Sequence, residues 1–351
     1  MNTSNGIKKI FLILGDGCNM SCAYCKAHLN STKSQMGVTY PSGAVMAYLK
    51  NTIANEPTLI NFYGGEPLLY FDVIKYIIDS INAKQDDVIW STMTNGKSIT
   101  PAMVEYFNKH KVTVNLSWDG EQTKTLRGYD VFADNAIKDY LLDIDDLWIN
   151  STLTSLTSPL EIANSHIPHL AEYQKRHGHS YGIHIGLATP TSANDPLYQY
   201  DYQKIYKEMQ YIIAKGIFES LAKEPKDFSP IDCIARTLSF TFQKKARGTR
   251  DICLDMDIKG NFFLCPFSRK TVDTLNTLDS YIIKAKELMI ARHCTKNCPV
   301  HMICDGGCPQ LKDTPLGIEG CELRRAYYMP MIELVTGKLY EKYKEGYFEN
   351  W

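Results

Sequence analysis

The sequence predicts an α/β protein whose parallel βα units form an open, partial (β/α)6 barrel, followed by a small cysteine-rich α+β region. Three observations carry this reading. Short apolar runs alternate with stretches of helical periodicity between residues 8 and 190. Six such runs occur, short of the eight strands of a closed barrel. The eleven cysteines crowd the two ends: three lie at 18, 22 and 25, eight lie between 233 and 321, and none lies between. Uniform scatter would put about six or seven in that gap.

Each element follows from local signals. Lys8–Leu14 is an apolar run of strand length, and the first cysteines follow it. Pro41–Asn55 has helical periodicity with a proline near its first turn. Thr58–Tyr63 reads as a second strand ended by Gly64-Gly65, and Phe71–Ala83 as a helix. Val88–Thr94 is a third strand closed by Asn95-Gly96, and Thr100 caps a helix reaching His110. Lys111–Trp118 is a fourth strand ending at Asp119-Gly120. Trp148–Thr154 and Tyr181–Thr189 are the fifth and sixth, around a helix over Leu160–Arg176. The rhythm stops at Pro190–Pro196. Helices are predicted over Tyr200–Lys223 and Phe228–Arg247, then a hairpin over Asp251–Pro266 turning at Lys259-Gly260-Asn261. The predicted organisation is a TIM-like partial barrel over 1–200, a helical bridge over 201–250, a cysteine module over 251–325 and a C-terminal helix over 326–351.

Charge and cysteine usage narrow the setting. Lys and Arg number 38 against 39 Asp and Glu, a net −1 that gives no bulk attraction to nucleic acid or an anionic membrane. No apolar stretch nears the roughly 20 residues that span a bilayer, and Met1–Gly6 lacks the layout of a secretory signal. A cytoplasmic, reducing location is expected, where clustered thiols act as metal ligands or redox groups.

Cys18, Cys22 and Cys25 put three thiols within eight residues at the C-terminal end of the first strand, where α/β folds bind ligands. Three thiolates leave a tetrahedral or cubane site one ligand short, an opening that a reactive centre needs. A zinc knuckle completed by His28 is the plainer alternative. The C-x3-C-x-aromatic-C spacing resembles the signature of radical S-adenosylmethionine (SAM) enzymes. That resemblance implies a partial barrel holding a [4Fe–4S] cluster by Cys18, Cys22 and Cys25, with SAM on the fourth iron. Gly64-Gly65-Glu66-Pro67 resembles the family's motif near the methionyl ammonium, where glycines admit a ligand to the backbone and a carboxylate suits a cation. Thr94-Asn95-Gly96 and Ser117-Trp118-Asp119-Gly120 resemble two more family segments. They make Asn95 a cofactor-binding residue and place Ser117 at ribose or carboxylate oxygens, Arg127 at the methionyl carboxylate and Tyr24 near the adenine. The plain readings beside these are a turn for Asn95-Gly96, a helix cap for Ser117, a surface ion pair for Arg127 and packing for Tyr24.

Cys294-x3-Cys298-x5-Cys304-x3-Cys308, followed by Cys321, suits a zinc ribbon taken alone. With the Cys253-x6-Gly260-x4-Cys265 hairpin it resembles the SPASM extension, which carries auxiliary [4Fe–4S] clusters. By that resemblance Cys294, Cys298, Cys304 and Cys321 hold one cluster, and Cys253, Cys265 and Cys308 another. Cys233 is either the fourth ligand of the second set or a buried apolar residue on its helix. Three clusters then account for all eleven cysteines. The central run departs from the family's usual C-x2-C opening.

The implied activity is reductive cleavage of SAM to a 5′-deoxyadenosyl radical that abstracts hydrogen from a residue of a ribosomally made peptide or protein. The product would be a crosslink, thioether, epimer or oxidised residue. An external one-electron reductant is implied. The first strand begins too early for an N-terminal leader-binding domain, so a peptide is expected either to bind the barrel mouth directly or to be delivered by a separate leader-binding protein. The alternatives are a small-molecule dehydrogenase of similar build and a non-catalytic zinc-binding protein. No residue acting on substrate is assigned; Asp255, Asp257 and Asp305, beside cluster cysteines, are each either a proton relay or, more simply, a turn or solvent-facing carboxylate.

Overall fold

Among the described residues nine strands follow one another as β1 (Ile7–Ile13), β2 (Thr58–Tyr63), β3 (Val88–Thr94), β4 (Thr113–Ser117), β5 (Leu147–Leu153), β6 (Gly182–Leu187), β7 (Ile252–Asp257), β8 (Asn261–Phe263) and β9 (Thr271–Thr274). The helices are α1 (Gly43–Asn55), α2 (Phe71–Ile81), α3 (Pro101–His110), α4 (Thr123–Arg127), α5 (Asn135–Leu142), α6 (Pro159–Ser165), α7 (Ile167–His177), α8 (Tyr202–Ala214), α9 (Pro230–Ala246), α10 (Pro315–Val335) and α11 (Lys338–Lys344). This is a computed structural model that describes residues 7–25, 39–55, 57–84, 87–188, 194–219, 229–246, 252–263, 271–274, 298–300, 315–345 and 347–348. The chain forms two compact units. One comprises Met1–Ser117, Arg127–Leu147 and Arg250–Met289; the other comprises Trp118–Leu126, Trp148–Thr249 and Ile290–Trp351.

In the first unit the strands lie in the order β4-β3-β2-β1-β7-β8-β9. The pairs from β4 to β7 are parallel, and β8 and β9 are added antiparallel, so the sheet is mostly parallel and does not close. Residues facing one side are apolar and fully buried: Ile10 and Leu12 on β1, Ile60 and Phe62 on β2, Val114 and Leu116 on β4, Leu254 and Met256 on β7. Burying each such side chain stabilises the fold by about 1.5–3 kcal/mol. The adjacent helices bury stripes of their own, Val45, Met46, Leu49 and Ile53 on α1 and Val73, Ile74, Ile77 and Ile78 on α2. Boundaries come from local chemistry. Thr100 Oγ1 accepts a hydrogen bond from Met103 N and Pro101 opens α3, while Lys111, left-handed at φ 51°, ends it.

The predicted hairpin forms as β7 and β8, with Gly260 at φ 88° in the turn. Asn261 is the first residue of β8 rather than a turn residue. Its first strand also pairs parallel with β1, in register from Lys9↔Cys253 to Ile13↔Asp257. Periodicity along the chain carries no information about this long-range partner. β9 adds a strand beyond the end of the predicted hairpin.

The second unit holds β5 and β6, paired parallel, and most of the later helices. The helix predicted over Leu160–Arg176 is two, α6 and α7, broken at His166. Pro168 sits in the first turn of α7 and has no N–H to continue a helical ladder from α6. The helix predicted over Tyr200–Lys223 stops at Ala214 and passes into a π-helical turn over Lys215–Glu219. There Gly216 allows α9 to approach, since a Cβ on it would stand 2.5 Å from that of Ala235. The C-terminal helix begins before the predicted 326, at Pro315. Tyr327 anchors it to β6 by donating to the Ile185 carbonyl (2.9 Å), and Glu333 hydrogen-bonds to Tyr206 and Gln210 of α8.

Candidate functional site

β1 runs out through Leu14, Gly15, Asp16 and Gly17 into Cys18. Leu14 N donates to Tyr63 O (2.9 Å), prolonging the β1–β2 pairing. Beyond it the loop after β2 lies backbone to backbone with the cysteine loop: Gly65 N donates to Gly15 O (2.9 Å) and Glu66 N to Gly17 O (2.8 Å). Glycine is obligatory here. A Cβ on Gly65 would fall 2.2 Å from Gly17 O, and one on Gly64, at φ 143°, 2.3 Å from Gly15 O. Tyr70 braces the other side, its hydroxyl accepting from Gly17 N (3.0 Å) and its ring filling the place of a Gly15 side chain.

Glu66 ties this arrangement to β3. Its carboxylate is fully buried. Oε1 accepts from Leu68 N (3.0 Å) and Thr94 Oγ1 (2.6 Å), and Oε2 from Asn95 N (2.8 Å). Burial pushes the Glu66 carboxyl above its usual range, against the pull of these three donors. Thr94 Oγ1 in turn accepts from Gly96 N (2.9 Å).

The Asn95 side chain reaches the cysteine loop. Its Nδ2 donates to Asn19 Oδ1 (2.8 Å) and towards Cys18 Sγ (3.8 Å), while its Oδ1 accepts from Lys97 N (3.0 Å). The backbone donor at Lys97 fixes the amide orientation. Asn19 Nδ2 donates to Ser98 Oγ (2.8 Å), so the loop is held from both ends of one carboxamide. Cys18 is exposed as a residue, yet desolvation around its sulfur is the largest influence on its thiol and pushes it up. Nearby Glu66 and Cys25 push the same way, while Met20 N–H and the Asn95 amide oppose them. Cys22 and Cys25 are half-buried, and Cys25 N closes a turn onto Cys22 O (3.1 Å).

Two further predicted residues meet one another: the Arg127 guanidinium lies over the Tyr24 ring, 5.3 Å from its centroid, with Arg127 itself buried. Ser117 is half-buried at the end of β4. The structure thus brings Gly65, Glu66 and Asn95 into one hydrogen-bonded assembly with the loop of Cys18, sets Gly64 against the Gly15 backbone, and pairs Tyr24 with Arg127. Sequence reasoning missed Gly15, Gly17, Asn19, Tyr70 and Ser98. The only signal was the Gly15-Asp16-Gly17 spacing before Cys18; Tyr70 and Ser98 carried none.

The opposite sheet face carries polar residues among apolar ones. Strand register sets Asp255, Phe11, Asn61, Ser91 and Thr113 side by side on five neighbouring strands. Asp255, Asn61 and Ser91 are buried. Ser91 Oγ accepts from Asn115 Nδ2 (2.8 Å), whereas Asn61 Oδ1 has no hydrogen-bond partner. Asp257 belongs to the turn: its carboxylate accepts from Lys259 N, Asn261 N and Asn261 Nδ2, each at 2.9 Å.

Of the second cysteine set, Cys265, Cys294, Cys304 and Cys308 lie outside the described residues, as do His28 and Asp305. Cys253 is half-buried on β7. Cys298 and the exposed Cys321 converge on Arg325 of α10, whose guanidinium is raised by a hydrogen bond to the Cys298 sulfur and then by Glu322, with Cys321 adding a smaller effect. Cys233 is buried on α9, and burial pushes its thiol up to about 11 despite a hydrogen bond with Ser180.

The first cysteine loop suits an iron–sulfur cluster by its donor set. Three thiols in no disulfide share one loop, two of them close enough to affect each other's charge, with an amide N–H directed at a sulfur. Among the described residues no three His, Cys, Asp or Glu side chains converge on a single-ion centre.

Residues 5–132 match the family described as a 4Fe-4S single cluster domain. Over 175 residues, 46% of this chain and 37% of the relative, the sequence is 26% identical to the radical SAM cyclopropyl synthase TigE of Paramaledivibacter caminithermalis. Over 178 residues, 49% of this chain and 58% of the relative, it is 29% identical to an uncharacterized protein of Methanocaldococcus jannaschii. The matches therefore span less than two thirds of either relative. Among solved structures, native anSMEcpe with bound AdoMet and the Cp18Cys peptide superposes at a TM-score of 0.65 with 17% identity, covering 94% of this chain and 98% of that one. Streptococcus suis SuiB bound to the precursor peptide SuiA superposes at 0.57 with 15% identity, covering 89% and 75%. The open, mostly parallel α/β fold is shared with these proteins.

Proposed function

We infer that this chain, a sequence relative of radical SAM proteins that shares their fold, is a radical SAM enzyme acting on a ribosomally made peptide or protein. The observation that carries the reading is the docking of Gly64-Gly65-Glu66 onto the loop of Cys18, Cys22 and Cys25. Two segments distant in sequence are fitted backbone to backbone there, at the C-terminal end of a parallel sheet. When bound, a [4Fe–4S] cluster with SAM supplies one-electron cleavage of the sulfonium and hence hydrogen abstraction from an unactivated C–H bond.

The protein's part is placement. Cys18, Cys22 and Cys25 hold the cluster. Glu66 locks the loop so that Gly64 and Gly65 present backbone acceptors to the methionyl ammonium. Arg127, braced on Tyr24, offers a planar fork to the methionyl carboxylate, and Ser117 offers a hydroxyl to the ribose. Asn61 and Ser91 form part of a polar wall suited to a substrate's amide groups. Cys298 and Cys321, with Cys294 and Cys304, hold one auxiliary cluster; Cys253, Cys265 and Cys308 hold a second, with Cys233 its candidate fourth ligand. A cytoplasmic location, an external one-electron reductant and a separate leader-binding protein complete the proposal. The proposed organisation is a barrel over 1–200, a helical bridge over 201–250 and a cysteine module from 251, with the C-terminal helix starting at Pro315 rather than 326.

A peptide substrate is favoured because the relatives and solved structures named above include a cyclopropyl synthase and two proteins captured with peptides. The test is anaerobic incubation with SAM, dithionite and the short peptide encoded beside the gene. Formation of 5′-deoxyadenosine together with a changed peptide mass or stereochemistry supports the reading. Cluster-loaded protein that forms no 5′-deoxyadenosine with any such peptide counts against it.

A further inference from the structure

We propose that Asn95 is a positioning residue for the cluster itself, donating an N–H···S hydrogen bond to Cys18 that raises the cluster's reduction potential. The inference rests on the functional reading above and gives Asn95, expected only to bind cofactor, a specific role at a cluster ligand.

The geometry leaves the side chain little choice. Its carboxamide oxygen is taken by Lys97 N–H, so the amino group must face the cysteine loop. One of its protons goes to Asn19 Oδ1 at 2.8 Å, and the other points to Cys18 Sγ at 3.8 Å. Asn19 lies between the first two cysteines and is anchored in turn by Ser98. The backbone beneath is pinned by Glu66 through Asn95 N. A donor held by three hydrogen bonds of its own residue, one of them to an Asn19 that Ser98 anchors in turn, does not rotate away when the thiolate takes on charge.

The electrostatics follow from the sign of the dipole. Reduction adds an electron to the cluster and negative charge to its sulfur ligands, and an N–H directed at a sulfur stabilises that added charge. The buried Glu66 carboxylate is the nearby group acting in the opposite sense. Removing the Asn95 amide makes reduction harder while leaving the three thiols in place.

The test is the midpoint potential of the EPR signal that changes on adding SAM, measured in wild type, Asn95→Ala, Asn95→Asp and Ser98→Ala. Asn95→Ala should shift the reduction equilibrium against the reduced form by up to about tenfold, or 59 mV for one electron. Asn95→Asp, of the same size but bringing an acceptor and a charge, should shift it further. Ser98→Ala loosens Asn19 without touching the N–H···S bond and should leave the potential near wild type. Equal potentials in wild type and Asn95→Ala at equal iron content overturn the inference, as does a Ser98→Ala shift equal to that of Asn95→Ala. Failure of both Asn95 variants to hold the cluster makes Asn95 a folding residue and overturns it too. A wild-type protein with no SAM-responsive signal sinks the functional reading instead, before any variant is compared.

Discussion

Replacing Glu66 by Gln separates a designed clamp from a residue that is merely buried. A glutamine of the same shape must point its amino group somewhere. Placed at Oε1 it confronts Leu68 N–H, and placed at Oε2 it confronts Asn95 N–H. Either way one buried backbone donor loses its acceptor. A hydrogen bond to a charged group contributes about 1.5–3 kcal/mol, and an unsatisfied buried donor costs about 1–3 kcal/mol; the two overlap. Relief of the buried charge, visible in the raised carboxyl, offsets part of the loss. A net destabilisation of about 1–3 kcal/mol is expected, at roughly 2–4 °C of melting temperature per kcal/mol for a unit of this size.

The assay is thermal unfolding of the metal-free protein, followed by circular dichroism, with amide hydrogen exchange at Leu68 and Asn95 as the local readout. The sign of the pH effect is also fixed. A raised folded-state value means the folded chain holds this proton more tightly than the unfolded one, so lowering pH through that interval stabilises the wild type. E66Q should lack that gain. An unchanged melting temperature with unchanged exchange at both amides refutes the reasoning.

Other substitutions report on other parts of the structure. Gly65→Ala drives a Cβ into the Gly17 carbonyl, so the SAM-responsive EPR signal should be lost and total iron after anaerobic reconstitution should fall by about a third, the share of one cluster in three; full loading with an intact SAM response would show that the two loops do not dock as described. Asn61→Leu removes a buried carboxamide oxygen without a partner, so stability should rise by about 1 kcal/mol while turnover falls, read by chemical denaturation and 5′-deoxyadenosine formation. A less stable variant, or one of undiminished turnover, contradicts the substrate role. His166 is fully buried, hydrogen-bonded through Nδ1 to Tyr181 (3.0 Å), and burial, with a smaller contribution from His169, lowers it to about 3. Its folded value lies below the usual 6.5, so the unfolded chain takes the proton first and stability is lost as pH falls from about 6.5 towards 3, by about 1.4 kcal/mol per unit. His166→Gln should flatten that acid limb, and an unaltered limb would place the titration elsewhere.

Local signals along the chain were sufficient where one residue decides one boundary. Thr58–Tyr63 and Val88–Thr94 form as read, and Thr100 caps α3 because its hydroxyl meets Met103 N within the same turn. The cysteine spacing and the glycine pair located the candidate site for the same reason: the chemistry is written in adjacent residues. Relationships between distant segments were not legible. Nothing in the periodicity of β7 announces β1 as its partner, because a strand's apolar face does not specify which edge it will join. The Gly64-Gly65 pair was read as room for a ligand, yet its closest neighbours are the Gly15 and Gly17 carbonyls. Tyr70 looks like any aromatic of a short apolar segment until the fold carries its hydroxyl to Gly17 N.

The most direct measurement is the EPR spectrum of anaerobically reconstituted protein with and without SAM, beside a variant in which Cys18, Cys22 and Cys25 are all alanine. A [4Fe–4S] signal whose g-values move when SAM is added, and whose SAM response disappears in the triple variant while other iron remains, is the expected result. An unchanged spectrum in the wild type, or a SAM response that survives loss of those three cysteines, would contradict the central claim.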